Sequence, residues 1–169
     1  MSSFDRYTLF IGYHEVYKTI DGGANWSQLT DFHSLGVSVS NAIKAIALTK
    51  ANEDVIYVGY DGATWATPGT VSKLFKTIDG GTIWDDITLS IGNIVEGHGI
   101  TDIKISDIDP NKIWISFGSF QDNNGTAINR VIYSSDGGNN WADITFNLPN
   151  LPVNCLQGII INNDYHIIA

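Results

Sequence analysis

Acidic, amide and aromatic side chains gather in two polar stretches of this 169-residue sequence. Asp61 and Trp65 lie in residues 61–72; Phe120, Gln121, Asp122 and Asn123 lie in residues 118–129. Glu96 and His98 fall between the two stretches, and His33 precedes both. Such a mixture suits a sugar, because a flat ring stacks on its apolar face while amides and carboxylates bond its hydroxyls. Two carboxyl groups facing one groove would also permit glycoside hydrolysis. Asp61, Glu96 and Asp122 are the acids available for that, but nothing in their spacing fixes a separation, so no catalytic residue is assigned.

Other chemistries find little support. His14, His33, His98 and His166 are isolated, without His-x-His or His-Glu-x-x-His spacing, and no Gly-x-Ser-x-Gly elbow occurs. The single cysteine, Cys155, allows neither an intrachain disulfide nor a cysteine zinc cluster, and its apolar surroundings predict a buried, inert thiol. Asp107-Ile-Asp-Pro-Asn111 lacks the central Gly and closing Glu of an EF-hand loop and reads as a plain turn. No metal or cofactor is expected. The net charge of −9 argues against a nucleic-acid partner, since phosphates require clustered Lys and Arg. The apolar runs are too short to span a membrane as a helix, and Met1-Ser2-Ser3-Phe4 is not a signal peptide.

The elements that must position these residues are written in a repeat. Lys18–Trp26 reads Lys-Thr-Ile-Asp-Gly-Gly-Ala-Asn-Trp, Lys76–Trp84 reads Lys-Thr-Ile-Asp-Gly-Gly-Thr-Ile-Trp, and Tyr133–Trp141 reads Tyr-Ser-Ser-Asp-Gly-Gly-Asn-Asn-Trp. The tryptophans stand 58 and 57 residues apart, and each motif is followed by a short tail ending in Thr30, Thr88 or Thr145. The motif is conformational. Asp21, Asp79 and Asp136 can accept N–H bonds from the turn that follows, with Thr19, Thr77 and Ser134 beside them. Gly23, Gly81 and Gly138 supply positive φ, and Trp26, Trp84 and Trp141 are expected to be largely buried.

Between the motifs, runs rich in Ile, Val, Tyr and Phe alternate as strands, and no window carries a sustained helical period. The clearest unit has strand A at Ile43–Leu48, B at Val55–Tyr60, C at Lys73–Thr77 and D at Ile83–Ile87. The next has A at Thr101–Ser106, B at Ile113–Phe117 and C at Arg130–Ser134. The first unit starts on a B-like run, Tyr7–Gly12. The last ends after A at Cys155–Ile161 and B at Tyr165–Ala169. The expected fold is all-β: four-stranded antiparallel propeller blades, about three of them, in pieces near 4–31, 41–88, 99–145 and 153–169. Thirteen such strands are too few to close a ring, so the chain reads as one partial propeller cut from a larger one.

The pattern Ser/Thr-x-Asp-x-Gly-x-x-Trp resembles the Asp-box, the bacterial neuraminidase-type repeat of sialidase, xyloglucanase-type and sortilin-like propellers. Phe146–Cys155 also resembles the blade connections of large secreted bacterial propellers. The resemblance implies a secreted or cell-surface setting, with a polysaccharide or an extracellular protein as partner. It does not extend to sialidase chemistry: that family grips its substrate with three arginines, and only Arg6 and Arg130 are present. Nor is there an Arg-Ile-Pro segment, a Tyr-Glu nucleophile pair or the catalytic-aspartate surroundings of the xyloglucanase type. A binding or adhesion scaffold is therefore favoured, and part of a glycoside-hydrolase-like propeller is the alternative. Terminal blades without neighbours would expose apolar faces, so adjoining blades of a parent chain or self-association are expected to cover them.

Overall fold

The computed structural model describes residues 5–38, 41–60, 72–95, 99–118, 129–149 and 151–169. Among them, thirteen strands form four antiparallel sheets. Sheet 1 holds β1 (Leu9–Gly12), β2 (Val16–Thr19) and β3 (Ser27–Gln28). Sheet 2 holds β4 (Ile43–Leu48), β5 (Ile56–Tyr60), β6 (Lys73–Thr77) and β7 (Asp85–Asp86). Sheet 3 holds β8 (Ile100–Ile105), β9 (Ile113–Phe117), β10 (Val131–Ser134) and β11 (Ala142–Asp143). Sheet 4 is a hairpin of β12 (Gln157–Ile161) and β13 (Asp164–Ile168), joined by Asn162 and Asn163 at positive φ. A 3-10 turn, Thr88–Val95, leaves sheet 2.

The β-branched and aromatic runs pair in sequence order because short turns join neighbouring strands. The core lies between sheets rather than within one. Phe10, Val16, Leu29 and Phe32 of the first unit pack on Ile46, Ile56, Val58, Tyr60 and Phe75 of the second. Ala45, Ala47, Tyr57 and Leu74 then meet Ile100, Ile103, Ile113, Ile115 and Ile132 of the third. Trp114, Val131 and Tyr133 meet Leu156, Tyr165 and Ile167 of the fourth. Sheets 2 and 3 therefore bury both faces, and every residue of β5 and of β9 is buried. Each large side chain so placed contributes about 1.5–3 kcal/mol. In β4 the register slips between Ile43 and Ala45, and in β8 it slips at the equivalent place between Ile100 and Asp102. A bulge thus recurs at the start of the innermost strand.

Two expectations need correction. The outermost strands are only two residues long: β7 covers Asp85–Asp86, not Ile83–Ile87, because the Ile83 N–H is taken by the Asp79 carboxylate. Cys155 is exposed and precedes its strand; Leu156 takes the buried place instead, with its N–H bonded to Asp102 Oδ2 at 2.9 Å.

Candidate functional site

The strand order separates two ends of each blade. At one end lie the β2–β3, β6–β7 and β10–β11 hairpins with the turns that enter β5 and β9. At the other lie the loops between second and third strands, together with the connections between sheets.

The hairpins repeat one hydrogen-bond plan. Asp21 accepts from the Thr19 hydroxyl at 2.6 Å, the Asn25 N–H at 2.9 Å and the Asn25 side-chain amide at 2.8 Å. Asp79 Oδ1 accepts from the Thr77 hydroxyl and from the N–H groups of Thr82 and Ile83, at 2.7, 2.9 and 3.0 Å. Asp136 accepts from the Ser134 hydroxyl, the N–H groups of Asn139 and Asn140, and the Asn140 amide. These donors stabilise the charged form. The Thr19 hydroxyl and then Asn25 hold Asp21 well below the usual carboxylate range; the Ile83 N–H and then the Thr77 hydroxyl lower Asp79. The Asn140 amide, its N–H and the Ser134 hydroxyl bring Asp136 to about 2. Carboxylates so engaged are poor general acids at neutral pH.

Each hairpin is tied inward and sideways. The first glycine donates its N–H to a carbonyl two residues before its blade's second strand: Gly22 to Tyr7, Gly80 to Asp54 and Gly137 to Asn111. The second glycine has φ of +99° in Gly23, +99° in Gly81 and +87° in Gly138, where a Cβ is strained. A Cβ on Gly81 would also lie 2.7 Å from Leu29 Cδ2, and one on Gly138 would lie 3.0 Å from Ile87 Cδ1. An aliphatic side chain of each outer edge thus rests on the next blade's hairpin. From sheet 2, the Tyr57 hydroxyl and Lys76 Nζ both donate to the Gly137 carbonyl, at 2.8 and 2.7 Å.

The tryptophans follow those contacts. Trp84 meets Phe32 edge-on at 5.1 Å, and Trp141 Nε1 donates to Ser90 Oγ at 3.0 Å, so the preceding unit half-buries both. Trp26 is 38% exposed, contrary to expectation, because no preceding unit lies over it among the described residues.

Asp61, Trp65, Glu96, His98, Phe120, Gln121, Asp122 and Asn123 lie outside the described residues. The described strands and connections at the end opposite the hairpins are well fixed. Thr30, Thr88 and Thr145 each turn a buried hydroxyl to accept the N–H of Val16, Leu74 and Val131, closing the outer edges of sheets 1, 2 and 3. Glu15 organises the first connection, accepting from Thr30 Oγ1 and the N–H groups of Phe32 and His33. His33 Nδ1 lies 3.1 Å from the Val37 carbonyl and His14 Nδ1 lies 3.0 Å from that of Asn41, so both rings bind backbone. Burial, and then the Glu15 charge, pushes the Tyr60 hydroxyl up; it donates to the His14 carbonyl.

Two residues here escaped the sequence reading. Leu89 is 94% exposed and Phe146 is 86% exposed, each directly after its closing threonine, and Phe146 has φ of +43°. A bulky residue in that region is strained. Aligning the tails past Thr88 and Thr145 would have paired them.

No family model matches the chain, and no curated protein matches it. Solved structures do. A GH74 xyloglucanase from Xanthomonas campestris aligns with a TM-score of 0.66 at 13% identity, over 94% of this chain and 24% of that one. The GH74 enzyme of Niastella koreensis gives 0.55 at 19%, over 84% and 20%. YCF48 bound to the D1 peptide gives 0.54 at 16%, over 82% and 36%. The chain thus spans about a fifth to about a third of the structures it matches. Their likeness is one of fold, and with the four sheets and their interlocked hairpins it identifies the chain as part of a β-propeller.

Proposed function

We propose that the three hairpins are Asp-boxes, and that the chain is a binding scaffold from a secreted or cell-surface propeller. Its ligand is a polysaccharide or an extracellular protein, held at the end opposite the hairpins. The observation that carries this reading is the unequal use of side chains at the two ends. The hairpin carboxylates are consumed by their own turns, whereas Phe146 and Leu89 stand exposed at the other end. Asp61, Trp65, Glu96, His98, Phe120, Gln121 and Asp122 are proposed as ligand contacts on that same end. Exposed aromatic groups on a rigid scaffold are effective sugar and peptide contacts.

Affinity electrophoresis and calorimetry against xyloglucan, other plant and bacterial polysaccharides, and extended peptides test this. Binding that weakens severalfold in Phe146→Ala, with unchanged thermal unfolding, is the expected result. Binding lost in Asp79→Asn at unchanged thermal unfolding, but kept in Phe146→Ala, would move the site to the hairpin end.

A second reading is favoured by the xyloglucanase likeness: a glycoside-hydrolase-like propeller acting on extracellular polysaccharide, with Asp61, Glu96 and Asp122 as candidate acids. Release of reducing ends that disappears on substituting one of these acids would establish it in place of the first.

A further inference from the structure

Each hairpin contains a dipeptide prone to spontaneous rearrangement of the main chain. Asp21-Gly22, Asp79-Gly80 and Asp136-Gly137 occupy the same place in the three turns. At an Asp-Gly bond no side chain shields the glycine nitrogen, which can attack the aspartate Cγ. The N–Cγ bond forms, a Cγ–O bond breaks, and one water leaves with the amide proton and the carboxyl hydroxyl. Water then opens the cyclic imide. Opening at the α-carbonyl carbon sends the main chain through Cβ and Cγ and leaves the α-carboxylate as the side group. The product is isoaspartate, equal in mass to the original.

The reaction needs a glycine nitrogen free to shed its proton and turn on its own aspartate. It also needs a neutral carboxyl, because an ionised one has no leaving group. The hairpins withhold both. The Gly22 N–H donates to the Tyr7 carbonyl at 2.8 Å, that of Gly80 to Asp54 at 3.0 Å, and that of Gly137 to Asn111 at 3.0 Å. Gly137 is held a second time, since the Tyr57 hydroxyl and Lys76 Nζ both donate to its carbonyl. The carboxylates are engaged further along the turn: Asp21 by the Asn25 N–H, Asp79 by that of Ile83 and Asp136 by that of Asn140. These donors and the neighbouring hydroxyls favour the ionised form and lower all three carboxyls.

We propose that the three Asp-Gly bonds are modification sites gated by their own hairpins, inert while the turn is closed and isomerised to isoaspartate when it opens. This rests on the turns alone and is independent of the ligand reading. An isomerised turn does not reclose, because the inserted main-chain carbon shifts the following N–H groups away from the carboxylate that bound them. A prolonged opening of the fold is thereby recorded in the covalent structure at these three points.

Ageing the 169-residue chain at mildly acidic pH, with and without urea, tests this. Isoaspartate is read bond by bond, through an isoaspartyl-specific carboxyl methyltransferase and peptide fragmentation. In urea the three bonds should isomerise at similar rates, together with Asp61-Gly62, which lies outside the described residues. Without urea the hairpin bonds should react more than about tenfold more slowly. Asn140→Ala removes only the side-chain amide that donates to Asp136 Oδ2 at 2.7 Å. It should speed Asp136-Gly137 severalfold in the folded chain and leave Asp21-Gly22 and Asp79-Gly80 unchanged. Molecules carrying isoaspartate should stay protease-sensitive after dilution from urea, whereas unaged ones regain resistance. Hairpin bonds that age as fast without urea as with it overturn the proposal. So does an Asn140→Ala chain in which Asp136-Gly137 keeps its rate or all three bonds quicken together, and so do isomerised molecules that regain resistance.

Discussion

The hairpins at Asp21 and Asp79 share their local chemistry and differ in what lies over them. Both carboxylates accept the hydroxyl two residues before and the N–H four residues after, and the second glycine of both has φ of +99°. Yet Trp84 lies beneath Leu29 and Phe32 of the preceding unit, whereas Trp26 stands partly in water. The turn is therefore made by its own residues, and the burial of its tryptophan is made by a neighbour. One motif contains two kinds of stability, one local and one borrowed from the adjoining blade.

The largest difference is expected from Gly81→Ala set beside Gly23→Ala. Both place a Cβ at positive φ, which costs on the order of 1–3 kcal/mol. Only Gly81→Ala also drives that Cβ into Leu29, adding overpacking of about 1–3 kcal/mol. Urea unfolding should separate the two variants clearly; equal losses would show that the Leu29 contact yields without cost. Next in size, Trp84→Ala should destabilise by about 2–4 kcal/mol, and Trp26→Ala by less than half as much. Equal values would mean that Trp26 is buried in solution, and the contrast between the two hairpins would fail.

The smallest effect tests the shared part. Asp136 sits at about 2 when folded, against an ordinary value near 4 when unfolded. A folded value below the unfolded one means stability that is fully present above about pH 4 and is lost as pH falls toward 2. Asp21 and Asp79 are lowered in the same direction. The unfolding midpoint should therefore be flat near neutrality and drop in acid, and Asp21→Asn and Asp136→Asn should each flatten the drop by a similar amount. A response confined to Asp136→Asn would tie the turn to its neighbour after all.

Much of the fold was legible in the sequence, for reasons that residues make plain. Asp-Gly-Gly followed by Trp fixes a turn within nine residues, and the nearly continuous apolar run Ile113–Phe117 reads as a strand. Burial set by distant partners was not legible. Trp26 and Trp84 carry the same motif with different exposure, and Cys155 lies one residue from a fully buried position. Glu15 gave no signal because its partners Phe32 and His33 offer backbone N–H groups, which every sequence contains. At the loop end, the sequence singled out residue types, while the exposure of Phe146 and Leu89 emerged from the backbone that carries them.

The clamp of Tyr57 and Lys76 on the Gly137 carbonyl has a consequence for synthesis. It joins residues 80 and 61 positions apart, while the other links between neighbouring sheets, such as Trp141 to Ser90, span about one repeat. Contacts that reach no further than the next unit can form in the order in which the units leave the ribosome. The second and third hairpins each emerge to meet a sheet already formed, whose outer-edge Leu29 or Ile87 is waiting beneath the second glycine. A nascent chain paused between repeats holds finished sheets, rather than strands awaiting partners from the far end of the polypeptide.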